Sequence, residues 1–180
     1  CGSFCTFSEV LKQLEKIKQK DHNIIPIMSY NAYSTDTRFG KAEDFRNTIE
    51  NICSNTIIST IAEAEPIGPK KLLDILIIEP CTGNTLAKLA NGIADTPVTL
   101  AAKSHLRNSR PLVIAVSTND ALAGAAKNIG HLMNYKNIYF VPYRQDDPEK
   151  KPTSVVADFS FTEKTMYNAL NGKQFQPLIL

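Results

Sequence analysis

Short apolar runs alternate with amphipathic stretches along the chain, the pattern of repeated strand–helix units on a mostly parallel sheet. Four runs read as buried strands: residues 24–28 (Ile-Ile-Pro-Ile-Met), 75–78 (Ile-Leu-Ile-Ile), 112–116 (Leu-Val-Ile-Ala-Val) and 138–141 (Ile-Tyr-Phe-Val). Between them the spacing predicts helices. Residues 6–20 carry Phe7, Val10, Leu11, Leu14 and Ile17 on one face and lysines on the other. Residues 39–53 carry Phe45, Ile49, Ile52 and Cys53, and residues 85–93, 121–133 and 162–170 read the same way. Residues 57–61 fit a strand or the tail of the preceding helix equally well, and 145–151 read as a polar loop. These elements predict a single domain over residues 1–180. Its expected fold is α/β, a three-layer Rossmann/flavodoxin-like arrangement with a mostly parallel sheet and helices on both faces. Residues 1–6 have the look of a phosphate turn that follows a strand, so the natural protein is expected to carry a central strand before them.

Composition narrows the function. The 180 residues are 43% hydrophobic and 21% charged, with a net charge of +2 and no basic stripe, which argues against a nucleic-acid or anionic-membrane partner. No apolar run approaches the roughly 20 residues that span a bilayer. Cys1, Cys5, Cys53 and Cys81 form no C-x-x-C pair and have no partner at metal-ligand spacing, so they read as free thiols of a reducing cytosol and no metal is expected. The three histidines are scattered; His22 reads as solvated and His105 as a salt-linked surface group.

In open α/β sheets ligands bind beyond the carboxyl ends of the strands, where helix N-termini offer free N–H groups and a positive dipole end. Three segments fall there: Gly2-Ser3, Ser29 with the polar run behind it, and Pro80-Cys81-Thr82-Gly83-Asn84-Thr85. No G-x-x-x-x-G-K-[ST], G-x-G-x-x-G or G-x-S-x-G motif is present, so a P-loop, a standard dinucleotide site and a hydrolase elbow are not supported.

The run from Glu79 to Asp95 (EPCTGNTLAKLANGIAD) resembles the signature of the FMN-binding flavoproteins typified by homo-oligomeric flavin-containing cysteine decarboxylases. That resemblance implies FMN at the carboxyl edge of the sheet and a trimer-based homo-oligomer. Carried over residue by residue, Gly2, Ser3 and Ser29 would meet the phosphate, and Pro80, Cys81, Thr82, Gly83, Asn84 and Thr85 would run beside the flavin. Asn84 would face flavin and substrate as the catalytic candidate, and Ser104 would be a further flavin contact. Two departures stand out. Pro66 occupies the position of the decarboxylases' catalytic histidine, and of their P-x-M-N substrate clamp only Asn119 remains, within Ser117-Thr118-Asn119-Asp120. Cysteine decarboxylation is therefore not expected.

Residues 34–45 and 143–148, together with 2–7, resemble more narrowly one component of a two-component oxidoreductase of spore-forming bacteria. That resemblance implies oxidation of a small cyclic dicarboxylate beside a nicotinamide-dinucleotide partner protein, in the cytoplasm of a sporulating mother cell. Asn119 and Arg38 are then substrate candidates, with Lys88 and Arg144 as further cations. A non-catalytic scaffold for the partner protein, and a flavin-dependent lyase or prenyltransferase on another substrate, are the alternatives.

Overall fold

The computed structural model describes residues 1–180, and its first helix, α1 (Phe7–Lys18), places Phe7 and Ile17 in the core and Lys16 and Lys18 in the last turn. Those cations suit the negative end of the helix dipole. A short helix α2 (Tyr30–Ser34) and then α3 (Ala42–Cys53) follow. Asp36 Oδ1 accepts from Ala42 N at 2.8 Å, satisfying one orphan donor of α3. Phe7, Met28, Ala32 and Ile57 form a small core where α1, α2 and α3 meet.

Residues 24–28 do not form the expected strand. They make one parallel bridge, Ile27 to Ile58, with Met28 N donating to Ile58 O and Ile58 N to Pro26 O, both at 2.9 Å. Pro26 has no N–H to extend the ladder. A cleft of about 450 Å³, lined by Leu11, Leu14, Ile25, Ile27, Ile75 and Ile77, lies between this segment and the sheet. Residues 57–61 divide: Ile58 makes the bridge, and α4 (Ile61–Ala64) opens with a capping box between Thr60 and Glu63.

Strand β1 (Leu76–Cys81) leads into α5 (Gly83–Ala90). Next comes α6 (Pro97–Arg107), a helix for which the sequence pattern gives no expectation. Its start is well specified: Thr96 and Thr99 cap each other, and Pro97 stands at N1, where a missing N–H costs nothing. Strand β2 (Leu112–Thr118), α7 (Ala126–Met133) and β3 (Ile138–Phe140) follow. Residues 121–125, expected as the first turns of α7, are hydrogen-bonded turns; Asp120 O accepts from Ala123 N and Ala125 N.

Residues 145–151, expected as a loop, belong to an antiparallel hairpin of β4 (Tyr143–Asp147) and β5 (Lys151–Ala157). Arg144, Gln145 and Asp146 are all exposed, so β4 carries no apolar alternation to mark it. Helix α8 (Thr162–Leu170) then buries Thr162, Thr165, Met166 and Ala169.

β2 lies at the centre. β1 and β3 flank it in parallel, with Ile78↔Ile114↔Phe140 in register, and β5 pairs antiparallel with its end through Ser117↔Val156 and Thr118↔Val155. Leu112, Ile114 and Val116 face one core with α5 to α7; Val113 and Ala115 face another with Phe159 and Ala169 beside α8. The outcome is a mixed sheet between two helical layers, an α/β three-layer fold. No helix is long and apolar enough to cross a membrane. Truncating Ile114 to Ala should cost about 2–5 kcal/mol in urea unfolding, whereas Ile179→Ala, at a residue 71% exposed, should stay within about 0.5 kcal/mol.

Candidate functional site

Because β1 and β2 are parallel neighbours, their carboxyl ends open on the same edge. Three segments converge there. Ser3 Oγ lies 2.8 Å from Ser117 Oγ, tying the first turn of the chain to the end of β2. Thr85 Oγ1 donates to Cys1 Sγ at 3.3 Å, tying the same turn to α5. Gly83, the first residue of α5, packs against the segment after β2: a Cβ built on it would stand 2.7 Å from Asp120 Oδ1 and 2.8 Å from Thr118 Oγ1. Thr118 Oγ1 donates to Asp120 Oδ1 at 2.6 Å, fixing the pair that fills this space.

Apart from the Asp120 carboxylate, the side chains gathered here are uncharged hydroxyls and one amide. Thr82 caps α5 by accepting from Thr85 N, at 3.4 Å, which anchors the turn. Asn84 is exposed and its amide makes no hydrogen bond within the chain. In the Ser3–Ser117 pair one hydroxyl donates to the other, and Ser3 Oγ also lies 3.8 Å from Cys5 Sγ. Pro80 and Cys81 are buried, and burial pushes the Cys81 thiol up to about 12. Cys81 is the last residue of β1, paired with Val116 where the strand meets the turn, and its thiol stays protonated inside the core.

The candidate cations have partners of their own. Lys88 pairs with Asp95 at 2.7 Å and Arg144 with Asp158 at 3.3 Å. Arg38 lies over the Phe39 ring at 4.9 Å, on the Thr37–Gly40 turn, and makes no ion pair. Ser29 occupies the N-cap position of α2 without bonding its own helix, so its hydroxyl is free. Asn119 is exposed, and its carbonyl accepts from Thr153 Oγ1 at 2.7 Å.

Two expectations are corrected. Ser104 is buried on α6 against Gly68, whose Cβ would stand 2.6 Å from Ser104 Cβ. It is adjacent to His105, which bonds Pro111 O at 2.9 Å just before β2 begins, so both lie toward the amino edge of the sheet. Ser104 is thus not gathered into the site. His105 is not a surface group: it is 1% exposed, and desolvation lowers its pKa. His22 bonds the Tyr167 hydroxyl and His131 that of Tyr135, so no histidine reaches the converged turns. Pro66 sits in a short 3-10 turn, Glu65–Ile67. Sequence reasoning did not anticipate Ser117, Thr118 and Asp120 as partners of the first and third turns. Their signal was a polar run placed directly after five apolar residues.

Glu79, one residue before the turn, stands in an unusual setting. Its carboxyl is enclosed although the residue as a whole is only half-buried; desolvation raises its pKa from 4.5 to about 8, partly offset by a 2.9 Å bond from Thr162 Oγ1.

The chain belongs to the Flavoprotein family, whose model matches residues 2–160. It is similar to the B subunit of dipicolinate synthase from Bacillus subtilis (strain 168), with 43% identity over 179 residues, covering 99% of this chain and 90% of that protein. The crystal structure of the dipicolinate synthase B subunit from Bacillus halodurans superposes with a TM-score of 0.91 at 42% identity, covering 100% of this chain and 92% of the other. The FMN-dependent cysteine decarboxylase SpaF shares the fold, with a TM-score of 0.61 at 21% identity over 94% of this chain and 93% of its own.

Two outcomes follow from this geometry. Gly83→Ala should force Thr118 and Asp120 aside and cost about 1–3 kcal/mol in chemical unfolding. Glu79 holds its proton in the folded chain up to about pH 8 but only to 4.5 when unfolded. Its stabilising effect is full below the lower value and is lost as pH rises through the upper one. Unfolding midpoints should therefore fall between about pH 5 and pH 8, by at most about 1.4 kcal/mol per pH unit, and Glu79→Gln should flatten that fall.

Proposed function

We propose that this chain is the B-type component of a dipicolinate synthase, acting with the A-type component in the oxidation of dihydrodipicolinate to dipicolinate, with FMN held at the carboxyl edge of the sheet. The observation that carries this reading is the meeting of Gly2-Ser3, Pro80–Thr85 and Ser117–Asp120 on one edge, in a chain similar to B subunits over nearly its whole length.

The residues present suit FMN. Ser3 and Ser117 offer hydroxyls, Gly2 a backbone with no side chain in the way, and Ser29 a further free hydroxyl for the phosphate. Gly83 has no side chain to obstruct a flat ring, and its space is already bounded by Thr118 and Asp120. Pro80, Cys81 and Thr82 would line the ring edge with backbone, and Thr85 secures the turn. When bound, flavin supplies a two-electron acceptor, and the gain of aromaticity drives loss of hydride from a dihydropyridine. The protein's share would be orientation: the free Asn84 amide would face the ring, and Asn119 and Arg38 are the further substrate candidates. On this reading the A-type component is a nicotinamide-dinucleotide protein, the B-type component forms a trimer-based homo-oligomer, and both work in the mother cell during sporulation.

A second reading, a non-catalytic scaffold for the A-type component, is favoured by one observation: all three histidines are committed elsewhere, and the family resemblance puts Pro66 where the decarboxylases have theirs. Absorbance titration with FMN, alone and with the A-type component, followed by anaerobic addition of dihydrodipicolinate, separates the two. The expected result is saturable binding and bleaching of the bound flavin; FMN that never binds, or is never reduced, rejects the redox role. Ser3→Ala and Ser117→Ala should each weaken FMN binding about tenfold, the value of one lost hydrogen bond. Asn84→Ala should lower synthase activity with assembly intact.

A further inference from the structure

Aromatising a dihydropyridine removes a hydride and also a proton, and the converged turns contain no histidine to take the proton. The acidic groups on and flanking the strands that form this edge differ in their partners. Glu79 is enclosed and held protonated, with its bond to Thr162. Asp95 is paired with Lys88 and Asp158 with Arg144. Asp120 makes no ion pair, is only half-buried, and lies on the same edge against Gly83. Its Oδ1 is fixed by the Thr118 hydroxyl at 2.6 Å, which leaves Oδ2 without a hydrogen-bond partner. Oδ2 is the atom nearest a Cβ built on Gly124, at 3.4 Å, so it lies along the 120–125 turn, while Oδ1 is the oxygen against Gly83, the residue before Asn84.

We propose that Asp120 is the proton acceptor for the ring substrate, a residue that replaces in another position the base absent at Pro66. This rests on the dipicolinate synthase reading. In the step assigned to it, the C–H bond of the saturated ring carbon breaks, its proton passes to Asp120 Oδ2, and the electron pair enters the conjugated ring imine. The hydride leaves from the neighbouring ring carbon to the flavin-class oxidant, so the ring loses two hydrogens in all and becomes aromatic. Thr118 acts as a positioning residue, holding the carboxylate in one rotamer so that Oδ2 remains available.

The proton step can be read without turnover. Dihydrodipicolinate incubated in deuterium oxide with the protein, and with no A-type component or oxidant, should exchange its ring C–H protons faster than in buffer, as followed by NMR. Asp120→Asn should lower that protein-dependent exchange at least tenfold, while its FMN affinity and melting temperature stay within twofold and a few degrees of the parent. Thr118→Val should lower exchange by a smaller factor, with FMN affinity kept. Exchange in Asp120→Asn within twofold of the parent overturns the assignment, as does a parallel loss of FMN affinity, which would make Asp120 a structural support of the turn. No protein-dependent exchange in the parent also overturns it. The FMN titration then decides the broader reading separately, since flavin binding does not require this step.

Discussion

The constraint on which the rest depends is that β2 has no face in water. Five consecutive apolar residues, Leu112 to Val116, are each fully buried, and their side chains alternate between the two cores. A strand of that kind must be covered on both faces and hydrogen-bonded on both edges; here β1 and β3 supply parallel neighbours, reached through crossover helices. The chain meets that demand with α5 to α7 on one side and α1 with α8 on the other. β2 then reaches solvent only at its carboxyl end, where apolar residues give way to Ser117-Thr118-Asn119-Asp120. The place where the core runs out is the place where polar groups from three segments can meet.

That same constraint explains how much could be read beforehand. Buried strands write themselves into the sequence as continuous apolar runs, so β1, β2 and β3 were legible, as were α1, α3 and α8 from their spacing. β4 was not, because Arg144, Gln145 and Asp146 are exposed and an open edge asks for no apolar face. Helix α6 was hidden differently: Lys103, Arg107 and Arg110 made its tail look like surface, while His105 turned inward to the Pro111 carbonyl. The 24–28 run was apolar enough for a strand, yet Pro26 and a single bridge to Ile58 left it without a ladder. In the site, the Pro80–Thr85 turn was legible from its own chemistry. Its partners were not, because Ser3 and Ser117 are 114 residues apart and only the fold brings their hydroxyls to 2.8 Å.

The site's character follows from what has been traded. Lys88 and Arg144 are paired with Asp95 and Asp158, and Arg38 is stacked on Phe39. On the proposed reading, hydroxyls, backbone donors and one amide would do the work of cations. Asp120 makes no ion pair, so its carboxylate stands at this edge without being neutralised.

The β4–β5 hairpin has a consequence for the molecule's behaviour in a crowded solution. β4 ends the sheet, and its outer edge is covered only near Tyr143, where the tail bonds back through Leu178 O and Leu180 N. Beyond that point lies an open row of backbone groups, the kind of edge on which a foreign strand can polymerise. Arg144, Asp146 and Lys151 stand along it, and Lys151 grips Asp146 at 2.7 Å across the hairpin. A second sheet approaching that edge would have to strip water from these charges before gaining its first hydrogen bond, and so the ladder stops growing at β4.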